Sequence, residues 1–112
     1  MKRAQRLRKG REFDAAYAKG TVYPGPLLVV RVMPNGLETT RWGFAVGKRL
    51  VKQAAHRNRL RRRLRELART LPVRLGFDVV VTARAGCAES DAARLRAALV
   101  GALRRAALLE EA

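Results

Sequence analysis

Arg57-Asn58-Arg59-Leu60-Arg61-Arg62-Arg63-Leu64-Arg65 places leucines at helical spacing inside an otherwise cationic run. Continued forward, Leu60, Leu64, Leu67 and Leu71 fall at i, i+4, i+7 and i+11, one narrow stripe of an α-helix over residues 53–71 that Pro72 closes. Stepping about 100° per residue from Leu60 turns Asn58, Arg62 and Arg65 away from the stripe. Arg57 and Arg61 lie along one flank and Arg63 along the other, with Arg59 and Glu66 on the far side. The helix has one seam for packing and a broad face of guanidiniums. Arg57, Arg61 and Arg65 repeat at i, i+4 and repel one another, with only Glu66 nearby to compensate. A ligand that neutralises the face relieves that cost.

Outward from this helix the charge stays one-sided. Ten Lys or Arg residues and no Asp or Glu lie between Arg41 and Arg65. A solvated helix face alternates in sign, and this one does not. A membrane-surface helix fits less well, because the stripe is leucine without aromatics and the core needs it. A phosphate backbone is the polyanion that fits.

The flanking segments give the architecture. Phe13, Ala16 and Tyr17 predict a short helix over 11–19, ended by Gly20. Residues 21–23 and 27–33 read as strands separated by Pro24-Gly25-Pro26, and Pro34-Asn35-Gly36 as a turn. Residues 41–48 alternate large apolar with small or polar side chains, a third strand. After the basic helix, the β-branched run 77–83 is a buried strand, and Ser90 or Asp91 caps a last helix carrying Leu95, Leu99 and Leu103. Helix, three strands, helix, strand, helix describes one α+β domain, a four-stranded sheet with helices in a two-layer sandwich. We expect residues 1–9 to be a loosely packed basic arm and 10–112 to be the domain.

A net charge of +16 on 112 residues opposes compaction, yet 48% hydrophobic content argues against a disordered tail. Of the 25 basic residues 20 are Arg, whose planar donor fork suits phosphate. Cys87 is alone, so neither an intramolecular disulfide nor a cysteine-based metal site forms. No apolar stretch reaches membrane-spanning length and no apolar core follows the basic start, which points to a cytoplasmic protein.

Phe13 and Tyr17 are i, i+4 neighbours beside Arg8, Lys9 and Arg11, the interleaving of aromatics and cations that receives unpaired nucleotides. The same spacing suits core packing for Phe13, whereas the Tyr17 hydroxyl leans toward the surface. Trp42 and Phe44 alternate on one strand and should pack against helices. No catalytic constellation is visible. His56 has neither a second histidine nor a paired carboxylate, Ser90 and Asp91 read as a cap, and Cys87 has no histidine near it.

Val46-Gly47-Lys48-Arg49, followed by Arg57-Asn58-Arg59-Leu60-Arg61-Arg62-Arg63-Leu64-Arg65-Glu66, resembles the signature of the bacterial ribonuclease P protein subunit. Arg8-Lys9-Gly10-Arg11-Glu12-Phe13, Tyr17, the Arg41-Trp42-Gly43-Phe44 strand and the 77–83 strand also fall where that family has counterparts, so the likeness covers roughly residues 6–109. It implies an αβββαβα fold with a left-handed βαβ crossover at the basic helix. It also implies that an RNA is the catalyst, cleaving precursor tRNA with Mg²⁺ held through that RNA. The protein would have no catalytic or metal-binding residues of its own and no obligate protein partner. By position, Arg57, Asn58, Arg59, Arg61, Arg62 and Arg65 would serve the catalytic RNA, with Lys48, Arg49 and Lys52 extending that surface. Arg8, Lys9, Arg11, Phe13, Tyr17 and Arg31 would line a cleft for the 5′ leader. Arg31 stands where some relatives carry an aromatic, and Gly47 where Ser or Ala is frequent. A structural RNA-binding protein, such as a small ribosomal component, meets the same composition; the Arg-Asn-Arg context separates the two.

Overall fold

The computed structural model describes residues 1–110; the last two positions of the expected 10–112 domain lie outside it. After a single 3-10 turn, Arg3–Gln5, the chain forms α1 (Gly10–Lys19), β1 (Thr21–Pro24), β2 (Leu28–Pro34), β3 (Arg41–Ala45), α2 (Ala54–Arg69), β4 (Phe77–Ala83) and α3 (Ala92–Arg105). This is the αβββαβα order. The sheet runs β1-β2-β4-β3 and is mixed: β4 is antiparallel to β2 and parallel to β3, with α2 as the crossover joining the parallel pair.

Side chains alternate across the strands, so each strand feeds two faces. Leu28, Val30 and Val32 of β2 share the front with Trp42, Phe44, Val79 and Val81. There they meet Leu60 and Leu64 of α2 and Leu95, Leu99 and Leu103 of α3. Leu64, Leu95, Leu99 and Leu103 are fully buried, each contributing about 1.5–3 kcal/mol of hydrophobic stabilisation. The α2 seam follows Leu60, Leu64 and Ala68, while Leu67 sits half-buried at its edge. Val80 points to the back, where Leu7, Phe13, Ala16 and Met33 cover it. The two-layer expectation thus describes the main core, and α1 adds a partial layer behind.

Two local differences from the sequence reading have simple causes. Strand β3 stops at Ala45, which pairs with Thr82, because β4 ends one residue later and offers no further partner. The amides of Leu50 and Val51 then both donate to the Gly47 carbonyl at 3.1 Å, closing a helical turn that displays Lys48 and Arg49. The second difference is the N-terminal stretch, which is anchored where loose packing was expected. Strand β3 is an edge, and its unpaired backbone takes the Leu7 amide onto the Trp42 carbonyl at 2.8 Å while Leu7 is buried. The last helix is capped by Asp91, which accepts from the Arg94 amide at 2.8 Å; Ser90 instead donates to the Gly86 carbonyl at 2.8 Å.

Candidate nucleic-acid interface

On α2 the cations divide by what they touch. Arg57 donates to the carbonyls of Val51 and Lys52 at 3.0 and 2.8 Å, so it secures the loop entering the helix and presents Lys52 to solvent. Arg61 donates to Asn58 Oδ1 at 2.8 Å, one turn back along the flank. Arg63 leaves the polar face altogether and donates to the Ser90 carbonyl at 2.7 Å, tying α2 to the segment before α3. Arg59 and Arg62 are exposed and have no hydrogen bond or ion pair among the described residues. Arg65 does not point fully outward: half-buried, it lies 6.0 Å over the Phe44 ring. Burial first, then the charges of Arg6, Arg61 and Arg62, lower its pKa from the ordinary guanidinium value. Glu66, the expected compensation, bonds Arg69 at 3.1 Å in an exposed pair worth little. The face is therefore cationic and largely unneutralised.

The back of the sheet forms a second, different surface. Phe13 packs with Leu7, Ala16, Met33 and Val80, pressed so close to Gly43 that a Cβ there would stand 2.5 Å from its ring. Tyr17, one turn on, is 43% exposed. Arg31 stacks on its ring at 4.8 Å, and its hydroxyl meets Thr82 Oγ1 at 3.4 Å. Beyond them the register sets Val29 beside Thr82 and Val22 beside Arg31, an incompletely covered strip of sheet. Arg8, Lys9 and Arg11 are exposed at the start of α1. The structure thus brings Phe13, Tyr17 and Arg31 to one place, with Phe13 as the wall and Tyr17 and Arg31 as the open platform.

What fixes α1 at this angle is Glu12. Its Oε1 accepts from the amides of Arg8 and Lys9 at 3.0 and 3.1 Å, and its Oε2 accepts from Arg41 Nη1 at 2.8 Å. The Arg8 amide is the leading cause of a Glu12 pKa held below the usual carboxylate value; partial burial opposes it, and the Lys9 amide and Arg41 reinforce it. Sequence reading passed over Glu12, Arg41, Thr82 and Arg6. The parity of the 77–83 strand held a signal, since Asp78 and Thr82 share the side of Val80 that faces away from the main core.

The chemistry of these surfaces is binding chemistry. Among the described residues no group of three or more His, Cys, Asp or Glu could hold a metal ion, and Glu12 and Asp78 are both engaged by Arg41. A protein-held Mg²⁺ does not fit this donor set. Cys87 is buried and its thiol is pushed up to about 11, chiefly by that burial, which makes it a poor nucleophile. No helix among the described residues is long and apolar enough to cross a membrane.

An unneutralised cationic helix on one face and an aromatic platform on the other define an RNA-binding α+β protein. The ribonuclease P family model matches residues 1–107, and the chain belongs to that family. It is 40% identical over 111 residues to the ribonuclease P protein component of Dehalococcoides mccartyi strain CBDB1, spanning 99% of this chain and 92% of that one. The RNase P protein of Thermotoga maritima superposes with a TM-score of 0.78 at 31% identity, covering 89% of this chain and 96% of that one. That of Staphylococcus aureus gives 0.83 at 26% identity, over 96% and 100%. The chain acts as the protein subunit of a ribonucleoprotein that removes the 5′ leader of precursor tRNA, with RNA as the catalyst. The ribosomal alternative falls away.

Proposed function

We propose that the two surfaces divide the work. The α2 face, with Lys48, Arg49, Lys52, Arg57, Asn58, Arg59, Arg61, Arg62 and Arg65, seats the catalytic RNA. The cleft of Arg8, Lys9, Arg11, Phe13, Tyr17 and Arg31 holds the single-stranded 5′ leader. Residues 10–112 act as one RNA-binding domain, with 1–9 as its basic arm, and no second protein chain is required. The observation that carries the reading is the parity of the sheet, which puts α2 and α1 on opposite faces so that one small protein can touch two RNAs together. Arg59 and Arg62 are free to meet phosphate, and Tyr17 offers its ring to a base. The protein then screens repulsion between the two polyanions and holds the leader, while hydrolysis belongs to the RNA and its metal ions. Precursor tRNA is made in the cytoplasm, and the protein works there.

Photo-crosslinking from single positions tests the division. A photoreactive side chain at position 62 should capture the catalytic RNA, and one at position 17 the leader within the assembled holoenzyme. Both positions capturing the same RNA would overturn the assignment.

A further inference from the structure

Arg65 has no hydrogen bond or ion pair among the described residues, and its Nε is buried without a partner. It lies over Phe44, whose ring stacks parallel to Trp42 at 6.0 Å, so the guanidinium is held against a flat, rigid wall on edge strand β3. The N-terminal segment runs alongside the same strand, with Arg6 bridged in parallel to Trp42. Side chains alternate along an extended segment. Leu7 goes to the back cluster with Phe13, Ala16 and Val80, so Arg6 projects to the front, where Trp42, Phe44 and α2 lie. Among the described residues the Arg6 side chain makes one hydrogen bond, a long one of 3.2 Å from Nη2 to the Met1 carbonyl, and Met1 itself packs on the front core. Arg61 and Arg62 lie on α2 within one turn of Arg65, and after burial, the leading cause, the charges of Arg6, Arg61 and Arg62 also lower its pKa. Among the described residues Glu66 is the one opposing charge that acts on Arg65, and Arg69 already holds it.

Like charges gathered against a rigid wall, with fixed backbone behind each, form a preorganised anion site. We infer that Arg6, Arg61 and Arg65 build one composite phosphate site beside β3, filled by a backbone phosphate of the catalytic RNA. The inference rests on the assignment of the α2 face to that RNA and extends it to a residue outside the helix. Arg6 is then part of the RNA-binding machinery, set in place by edge-strand pairing.

The test is a double-mutant cycle with Arg6→Ala and Arg65→Ala, read as affinity for the transcribed ribonuclease P RNA at several salt concentrations. Each single variant should bind roughly five- to tenfold more weakly, with the salt slope reduced by less than about one unit, since the other two cations still face the phosphate. The double variant should lose clearly less than the product of the two, because both cations serve one phosphate. Arg6→Lys should recover part of the loss, and Arg3→Ala, the same charge removed from the same segment, should cost less than about twofold. Matched urea midpoints exclude a folding effect, which an exposed Arg6 should not have. Arg6→Ala behaving like Arg3→Ala would overturn the site, as would losses that multiply. So would a loss confined to precursor tRNA binding by preassembled holoenzyme. Arg62→Ala separates the two levels: a loss there with none at Arg6 sinks this site alone, and a loss at neither sinks the α2 assignment too.

Discussion

Arg41 grips Asp78 through two parallel bonds, Nε to Oδ1 at 2.8 Å and Nη2 to Oδ2 at 2.7 Å, joining adjacent strands β3 and β4 on the back of the sheet. Asn35 Nδ2 also donates to Asp78 Oδ1 at 3.0 Å, and the remaining Arg41 nitrogen reaches Glu12 on α1. The pair is planar and bidentate, the geometry in which Arg–carboxylate bonding is strongest. It links the turn after β2, two strands and the helix that walls the cleft.

Asp78→Ala should cost about 3 kcal/mol of stability, the low end for removing one partner of a buried pair, since Arg41 keeps 23% side-chain exposure. Urea unfolding measures it. A loss under about 1 kcal/mol would mean that water replaces the carboxylate freely.

Glu12 titrates below its usual value of 4.5 in the folded chain. A carboxyl depressed by folding adds stability that is present above its unfolded pKa and is lost as pH falls through the folded one. The urea midpoint should therefore drop as pH falls below about 4.5, and Glu12→Gln should flatten that part of the profile. An unchanged slope in Glu12→Gln would place the acid sensitivity elsewhere.

Tyr17→Ala should weaken binding of leader-bearing precursor tRNA to the holoenzyme by about 1–3 kcal/mol, the worth of one stacked base, and leave mature tRNA binding nearly unchanged. Phe13→Ala should instead lower stability by about 2–3 kcal/mol, because its ring packs on Leu7, Ala16, Met33 and Val80. Equal losses for both substrates with Tyr17→Ala would deny the platform a role in leader recognition.

Gly43 tests the cleft wall from behind. An added Cβ meets the Phe13 ring at 2.5 and 2.6 Å, and Leu7 at 3.1 Å, so α1 must move outward. Gly43→Ala should destabilise the protein by about 1–3 kcal/mol and impair leader binding more than binding of the catalytic RNA. Wild-type leader affinity in a folded Gly43→Ala protein would show that the cleft tolerates a shifted wall.

The element order was legible because each periodicity was clean: the leucine seam of α2, the β-branched run of β4, and glycine and proline between them. The Lys48–Arg65 cations stood out for the same reason. Strand pairing did not stand out, since nothing local says that β4 inserts between β2 and β3. The fate of individual arginines was equally hidden. Arg57 and Arg63 look identical to Arg59 and Arg62 in sequence, yet they bind carbonyls of Val51, Lys52 and Ser90 that only the folded chain brings within reach. Arg6 read as part of a loose arm because its partner is the open edge of a strand more than thirty residues later.

The salt dependence of affinity for ribonuclease P RNA, compared between the natural chain and an Arg59→Ala/Arg62→Ala variant, bears most directly on the α2 surface. Neither side chain has a partner within the described fold, so the variant should unfold at the same urea concentration. Its plot of log affinity against log salt should be shallower by about two, roughly one unit for each phosphate that is no longer neutralised. A folded variant with the slope and affinity of the natural chain would rule out this helix face as the seat of the catalytic RNA.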